Sequence, residues 1–320
     1  MHRLAQQILR QNTRAIARSI SLIENETESA QKESLIDSLH THCGHAMVWG
    51  ITGPPGAGKS SLLDRFIERL RRQDKTVAVI AVDPSSPFSG GAILGDRLRM
   101  QKHATDDGVF IRSMASRGHL GGVAGATADA IKIFDAAGFD YVIIETIGVG
   151  QTEIEVMELS DIVLLVLVPG LGDEIQALKA GVMEIGDVFI INKKDLAGAE
   201  RLKSEVEYVL GLQENDTHTR PSVCMTSATQ DEGIESALSV IFDYQEKIRQ
   251  NGQLAERRKS RIEKELKHIA NAKIMAAAER FLNIDRRLES WVEDVFHKKV
   301  SPYKLLNRKI GEFLKELHWQ

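Results

Sequence analysis

The feature that most constrains this chain is a glycine-rich run that lies between an apolar segment and an amphipathic one. Residues 53–60 read Gly-Pro-Pro-Gly-Ala-Gly-Lys-Ser and match the pattern G-x-x-x-x-G-K-[ST]. In this pattern the glycines let successive backbone N–H groups turn inward at the start of a helix, where they bind an anion. Residues 47–52 resemble a buried strand, and residues 62–70 carry apolar side chains at helical spacing. The sequence therefore predicts a strand, a phosphate-binding loop and a helix in succession.

Short apolar runs alternate with amphipathic stretches through the middle of the chain. The runs are continuous rather than alternating, as strands covered on both faces require. They lie at residues 47–52, 77–82, 141–144, 162–168, 188–191 and 223–226. Strands that alternate with helices favour an α/β fold with a doubly wound, mostly parallel sheet.

The two ends of the chain have helical patterns without strand signals. We expect residues 1–45 to form an N-terminal helical extension, residues 46–245 the sheet domain, and residues 246–320 a C-terminal helical arm. Ser301-Pro302 is typical of the start of a last helix. The basic run at residues 257–261 fits the solvated face of a helix better than a binding patch.

Composition argues against several classes of partner and location. The 320 residues carry a formal net charge of −4, so no basic field indicates a nucleic acid or an anionic membrane as partner. Cys43 and Cys224 form no CxxC pattern, which argues against a disulfide framework and fits a reducing compartment. The longest apolar run, 162–168, is too short to cross a bilayer. The expected location is the cytoplasm.

Two sets of residues are candidates for binding a nucleotide. In the first set, Lys59 can reach the β- and γ-phosphates, and the Ser60 hydroxyl can ligate magnesium. In the second set, Asp195 of Asn192-Lys193-Lys194-Asp195 can accept hydrogen bonds from the ring N–H and the amine of guanine. A backbone N–H after the strand 223–226 could meet the guanine carbonyl. The predicted nucleotide-binding residues are Gly53, Pro54, Pro55, Gly56, Ala57, Gly58, Lys59, Ser60, Ser61, Gly148, Asn192, Lys193, Asp195, Ser227, Ala228 and Thr229. For 192–195 alone, a charged and capped helix start is the alternative.

Three acidic residues, Glu145, Asp83 and Asp96, are candidates for the magnesium site, and Asp83 and Asp96 are also candidates for orienting the attacking water. Glu145 follows an apolar strand, and Gly148 can bring a backbone N–H to a γ-phosphate. Asp83 ends another strand, and Asp96 lies in a glycine-rich loop. Together with Lys59 these acids form the predicted catalytic set, and together with Ser60 the predicted metal set. A capping acid at a strand exit is the alternative for Glu145, and a turn starter is the alternative for Asp83-Pro84.

Two further glycine-rich stretches have no single interpretation from sequence. Residues 112–122 are polar and are either a mobile segment or a plain surface loop. Residues 170–176 follow the strand 162–168, and their glycines either permit rearrangement or belong to an ordinary strand–helix loop.

Six motifs, taken in order, resemble one family of P-loop proteins. They are ARSISLIEN (17–25), GPPGAGKSS (53–61), VDPSSPFSGGAILGDR (82–97), RSMASRGHLGG (112–122), ETIGVGQ (145–151) and NKKD (192–195). From about residue 14 to about residue 245 the chain resembles the MeaB/ArgK family, the SIMIBI-class GTPases associated with methylmalonyl-CoA mutase.

The resemblance implies a function that the residues alone do not show. It implies a homodimer, formed through the C-terminal arm, that uses slow GTP hydrolysis to chaperone an adenosylcobalamin-dependent acyl-CoA mutase. Such a chaperone gates cofactor loading and protects the mutase, and the cobalamin belongs to the mutase. The resemblance also implies that Asp83, Asp96 and Glu145 serve the Mg²⁺ site. It places Asp173, Gln176 and Lys179 in a switch segment that responds to the mutase.

Two other functions remain open at this point. A metal-insertion accessory GTPase for a nickel enzyme would need a cluster of soft ligands, and the nearest approach to one is His40, His42, Cys43 and His45. These four residues fit a polar linker better. A kinase that phosphorylates a protein or a small molecule is the other alternative, and the guanine-specific residues weigh against it.

Overall fold

The computed structural model describes most of the chain and divides it into two compact units. The described residues are 2–25, 30–83, 101–103, 105–115, 122–146, 157–170, 183–212, 219–283 and 287–316. The larger unit is Met1–Arg261 and the smaller unit is Ile262–Gln320.

A seven-stranded sheet forms the centre of the larger unit. Its strands are β1 Met47–Thr52, β2 Val77–Asp83, β3 Val109–Ala115, β4 Tyr141–Thr146, β5 Ile162–Leu167, β6 Val188–Ile191 and β7 Ser222–Met225. The order is β3-β2-β4-β1-β5-β6-β7, and every neighbouring pair is parallel. The predicted α/β parallel sheet is confirmed.

One strand was missed by the sequence prediction. The stretch that begins at Arg112 was interpreted as a loop, but Val109–Ala115 forms β3 at the edge of the sheet. Its apolar run is only three residues long, and residues 109–113 are half-buried. An edge strand is covered less than a central one, so it lacks the continuous apolar pattern on which the other strands were recognised. Residues 116–121 lie outside the described residues.

Helices cover both faces of the sheet in the larger unit, and further helices form the smaller unit. In chain order, the described α-helices of six residues or more are α1 Arg3–Ile8, α2 Thr13–Asn25, α3 Ala30–Leu39, α4 Lys59–Arg72, α5 Gly122–Ala136, α6 Ala199–Leu212, α7 Ile234–Gln250, α8 Gln253–Asn283, α9 Arg287–Phe296 and α10 Pro302–Glu316. Helices α4 and α7 pack on one face. Helices α1, α2, α3, α5 and α6 pack on the other, so the N-terminal helices complete the core. Within the described helices, none combines the length and apolar character needed to cross a bilayer.

The basic run at the start of α8 is not the solvated face that its composition suggested. Arg257 donates two hydrogen bonds to the Asp187 carboxylate, at 2.8 and 2.7 Å. Arg258 donates two to the Asp161 carboxylate, at 3.1 and 2.7 Å. Arg261 donates to the carbonyl of Leu159. A sequence pattern shows which residues are charged but not which distant carboxylates face them, so the interpretation as a solvated face was wrong.

The two carboxylates lie at the amino ends of β5 and β6. Asp161 is 1% exposed and also accepts from the N–H of Val48 at 3.0 Å. Asp187 is 5% exposed and also accepts from the hydroxyl of Tyr244 at 2.6 Å. Burial alone would lower the pKa of Arg258, but its bonds to Asp161 outweigh burial and hold the pKa above its ordinary value. The first two turns of α8 are thus fixed to the sheet by paired, buried charges.

The smaller unit is built from the remainder of α8 together with α9 and α10. Phe281, Trp291 and Leu305 form a small buried cluster within it. The last helix begins at Pro302, as predicted, and the Ser301 hydroxyl accepts from the N–H of Lys304 at 3.3 Å. This bond satisfies one of the free N–H groups at the helix start.

We predict that Arg258→Ala destabilises the larger unit strongly. Removing one partner of a buried ion pair costs about 3–5 kcal/mol, and the lower end applies because Arg258 is partly exposed. The measurement is the free energy of unfolding in a denaturant titration. The control is Lys259→Ala, which among the described residues removes only the exposed contact with Glu256 and should leave the free energy of unfolding nearly unchanged. Equal losses in both variants would contradict the role of the buried pair.

Candidate functional site

Those predicted site residues that the structure describes lie at the carboxyl edge of the sheet. Because all seven strands are parallel, their carboxyl ends lie on the same side. The glycine-rich loop follows β1, Asn192 follows β6, and Thr226 follows β7. Glu145 pairs with Ile51 in the sheet register and therefore lies beside the start of the loop. Open parallel sheets bind ligands at this edge.

The loop after β1 has the backbone conformation that inward-facing N–H groups need. Gly53, Gly56 and Gly58 have φ values of 143°, 79° and 85°, a region that favours glycine. A Cβ on Gly53 would lie 2.2 Å from the carbonyl oxygen of Val166 in β5. The loop therefore packs against the neighbouring strand and tolerates no side chain there. Helix α4 begins directly afterwards, with Ser61 on its first turn.

The Lys59 ammonium group is held inside the loop. Lys59 is 7% exposed, and its Nζ donates to the carbonyl oxygens of Gly53 at 2.7 Å and Pro54 at 3.0 Å. Pro54 and Pro55 form the outer part of the loop, and Ala57 is buried beneath it. A positive charge at the N-terminus of α4 adds to the helix dipole and to the free N–H groups. The arrangement suits a polyphosphate.

Two oxygen ligands suitable for a magnesium ion lie side by side next to this loop. The Ser60 hydroxyl donates to Glu145 Oε1 at 2.6 Å, and Glu145 is 3% exposed. Mg²⁺ prefers carboxylate and hydroxyl oxygens together with those of phosphate groups, so the pair fits the ion. Asp83 is the last residue of β2, two residues beyond the position that pairs with Glu145. The predicted residues Asp96, Gly148, Asp173, Gln176 and Lys179 lie outside the described residues.

Asn192 has a structural role that sequence reasoning missed. Its Nδ2 donates to the carbonyl of Ala57 at 2.8 Å, and its Oδ1 accepts from the Thr226 hydroxyl at 3.2 Å and from the Ala228 N–H at 3.1 Å. Asn192 is 2% exposed. One buried amide therefore joins the phosphate-binding loop to the ends of β6 and β7. A ligand carbonyl that uses the Ala228 N–H would share that donor with Asn192.

The Asp195 carboxylate is oriented by the neighbouring loop. Its Oδ1 accepts from the hydroxyl of Ser227 at 2.6 Å, and Ser227 is fully buried whereas Asp195 is exposed. A carboxylate accepts through both oxygens, so this bond fixes its direction and still allows contact with a base. Lys193 adopts a φ of 56°, which turns the chain between the two functional residues of the motif. Thr229 lies on the exposed turn after Ala228.

The residues considered for nickel do not form a ligand cluster. The Cys43 thiol donates to the carbonyls of Leu39 at 3.3 Å and Lys132 at 3.4 Å. Burial raises the pKa of the Cys224 thiol to about 12, which disfavours the thiolate that binds metals. Among the described residues, no group of three or more His, Cys, Asp or Glu side chains is placed to hold a metal ion.

The fold and the two loops define the class of the protein, which is a P-loop GTPase. Within this class, the family model described as "Methylmalonyl Co-A mutase-associated GTPase MeaB" matches residues 16–281, and the chain belongs to that family. A putative GTPase of Pyrococcus abyssi is 44% identical over 314 residues, covering 97% of this chain and 96% of the relative.

Two further relatives carry other names. The GTPase ArgK of Escherichia coli is 34% identical over 315 residues, covering 96% of this chain and 94% of the relative. Among solved structures, an LAO/AO transport system kinase superposes with a TM-score of 0.71 at 26% identity, covering 98% of this chain and 96% of that one. The predicted family, fold class and GTPase activity are thereby confirmed.

We predict that Lys59→Ala lowers GTP turnover by at least about a hundredfold, because the ammonium that stabilises charge on the transferring phosphoryl group is lost. Release of phosphate from GTP is the measurement. Lys75→Ala is the control, since Lys75 pairs with Asp140 at the opposite edge of the sheet. Hydrolysis that stays unchanged in Lys59→Ala would refute the phosphate assignment.

We predict that Asp195→Asn redirects the base site from guanine to xanthine. An Asn amide accepts from the ring N–H through Oδ1 and can donate through Nδ2 to the C2 carbonyl of xanthine, whereas in guanine the same Nδ2 faces the amine, which is also a donor. GDP affinity should therefore fall about a hundredfold or more while XDP affinity rises. Fluorescence titration with both nucleotides is the measurement. Lys194→Ala is the matched control, because Lys194 contacts Glu232 at 2.8 Å instead. A variant that still prefers GDP would exclude Asp195 from base recognition.

Proposed function

We propose that this chain is a GTP-hydrolysing chaperone of an adenosylcobalamin-dependent acyl-CoA mutase, which gates cofactor loading and protects the mutase. The observation that carries the proposal is the family match, which spans residues 16–281 and names methylmalonyl-CoA mutase as the associated enzyme. The cobalamin belongs to the mutase, and the ligands of this chain are GTP and GDP.

The described residues support a specific division of labour in hydrolysis. Lys59 and the N–H groups at the start of α4 would bind the β- and γ-phosphates. Ser60 and Glu145 would hold Mg²⁺ together with Asp83 and Asp96, and the ion would supply positive charge next to the phosphates. Asp83 or Asp96 would orient the attacking water.

The chain just after the segment that carries Asp96 is fixed to the phosphate-binding helix. Lys102 Nζ and His103 Nε2 contact the Asp64 carboxylate of α4, at 2.5 and 2.8 Å. His103 is 8% exposed. The described residues on either side of the segment that carries Asp96 thus lie at the end of β2 and against α4, and this supports the proposal that Asp96 serves the same site.

The segment between β5 and β6 is the proposed switch. It begins after Gly170, which has a φ of 91°, and it carries Asp173, Gln176 and Lys179. Strand β5 supplies the carbonyl against which Gly53 packs, and Asn192 directly follows β6. A segment joined to both strands would report the state of the nucleotide to a mutase.

We also propose that residues 246–320 act as a dimerisation arm, next to a sheet domain of residues 46–245 and an N-terminal extension of residues 1–45. The support is the apolar surface on its helices. Exposed large apolar residues recur there at helical spacing, namely Ile262, Leu266 and Ile269, then Leu288, Val292 and Phe296, then Tyr303, Leu306 and Ile310. Exposed apolar patches of this kind mark interaction sites, and a cytoplasmic homodimer would bury them.

The test is complex formation with purified adenosylcobalamin-dependent acyl-CoA mutases. We expect one of them to bind the full chain at least about fivefold more tightly with a GTP analogue than with GDP, because a nucleotide switch requires coupling between the two sites. We expect GTP hydrolysis to rise in the same complex. Light scattering of the free chain should give the mass of two copies.

The matched controls separate this function from the alternatives. Lys59→Ala should not show the stimulated hydrolysis, and an acyl-CoA enzyme without cobalamin should not bind. When GTP carries a label on its γ-phosphate, hydrolysis should release that label as free phosphate. Transfer of the label to a protein or a small molecule would instead favour a kinase. Failure of every mutase to bind or stimulate would return the chain to a GTPase without a known client.

A further inference from the structure

The loop that joins β7 to α7 carries the predicted contacts to the base and is tightly folded. Ser227 and Glu232 exchange two backbone hydrogen bonds, at 2.9 and 3.0 Å, and close a short turn. Asp231 within the turn has a φ of 58°, and Gly233 after it has a φ of 72°. A non-glycine residue in the left-handed region, such as Asp231, needs support from its surroundings.

Part of that support comes from the phosphate-binding helix. Arg65 of α4 donates through Nε to the carbonyl oxygen of Ala228 at 3.1 Å, and the same nitrogen lies 3.7 Å from Asp231 Oδ1. Arg65 lies six residues beyond Lys59 on the same helix. The helix that starts at the phosphates therefore also contacts the loop that meets the base.

A second arginine of α4 holds the far end of the loop. Arg69 is 7% exposed and contacts Asp231 at 2.7 Å and Glu235 at 2.6 Å. Hydrogen bonding to Arg69 holds the pKa of Asp231 below its ordinary value, and the same bond raises the pKa of Arg69. Both arginines face the same loop, one turn apart along the helix.

The hydrogen bonds around Ala228 fix two consecutive peptide planes. The Ala228 N–H is held by Asn192, which is itself bonded to Ala57 of the phosphate-binding loop. The Ala228 carbonyl accepts from Arg65. Because a peptide unit is planar, this bond also fixes the direction of the Thr229 N–H, which belongs to the same peptide plane. The N–H groups of Ala228 and Thr229 are the backbone donors that we assign to the guanine carbonyl.

We propose that Arg65, supported by Arg69, is a specificity-determining positioning residue that sets the backbone donors at residues 228–229 for the guanine carbonyl. The proposal rests on the assignment of the base site to Asp195 and the loop after β7. Arg65 itself does not touch the nucleotide. Preorganised donors contribute most when they do not have to move on binding.

A purely stabilising role accounts less well for the same contacts. Arg65 is 28% exposed at its side chain, and its ion-pair partners Glu68 and Asp231 are 29% and 40% exposed. Ion pairs at this exposure contribute little to the stability of a fold. Its bond to a backbone carbonyl in the base loop is directional and is the feature to test.

The test compares GDP with 6-thio-GDP, which differs only in having sulfur in place of the carbonyl oxygen. We expect Arg65→Met to weaken GDP binding about tenfold and 6-thio-GDP binding about twofold or less, because sulfur is the weaker acceptor and gains little from well-placed donors. Arg65→Lys keeps the charge but not the Nε–H, is the gentler change for folding, and should show the same loss of discrimination. Binding to the purified chain is measured by titration.

Arg72→Met is the matched control, because Arg72 lies on the same helix and contacts only Glu68 among the described residues. It should bind both nucleotides as the unchanged chain does. Equal weakening of GDP and 6-thio-GDP by the Arg65 variants, or no weakening, would overturn the proposal.

The assay contains no mutase, so its result does not bear on the proposed chaperone function. If Asp195→Asn fails to favour XDP, the base assignment fails and this proposal fails with it.

Discussion

The parallel pairing of seven strands is the constraint on which the site depends. Phosphate, metal and base residues come from four segments spread between residues 53 and 229, and only the common direction of β1, β4, β6 and β7 brings their carboxyl ends to one edge. The close packing of Gly53 against β5 then fixes the height of the phosphate-binding loop relative to the sheet. The amide of Asn192 fixes its position relative to β6 and β7.

Both edges of the sheet hold charged side chains that are fixed by hydrogen bonds. At the carboxyl edge, Lys59 Nζ donates to the carbonyl oxygens of Gly53 and Pro54 at the start of α4. At the amino edge, Asp161 and Asp187 are buried and each is neutralised by a bidentate arginine from α8. The first arrangement orients a cation at the predicted phosphate site, whereas the second anchors α8 to the sheet.

Sequence was sufficient where the information is local. The central strands, the phosphate-binding loop and the start of the last helix at Pro302 follow from short patterns that specify a backbone conformation. Prediction from sequence failed where the hydrogen-bonding partner lies far away in the chain, as it does for the arginines of α8 and for Asn192. Strand β3 was missed because half-buried edge positions accept polar residues, so its pattern resembles that of a loop.

The arginine pairs of α8 also bear on where this chain can be divided. A fragment that ended at residue 245 would keep all seven strands of the sheet and most of helix α7, yet it would leave two buried carboxylates without the arginines that neutralise them. Such a fragment would have to take up protons or admit water at the base of β5 and β6 in order to fold. The shortest fragment that can fold on its own must therefore include the arginines that neutralise these carboxylates. It extends into α8, the helix that continues into the smaller unit.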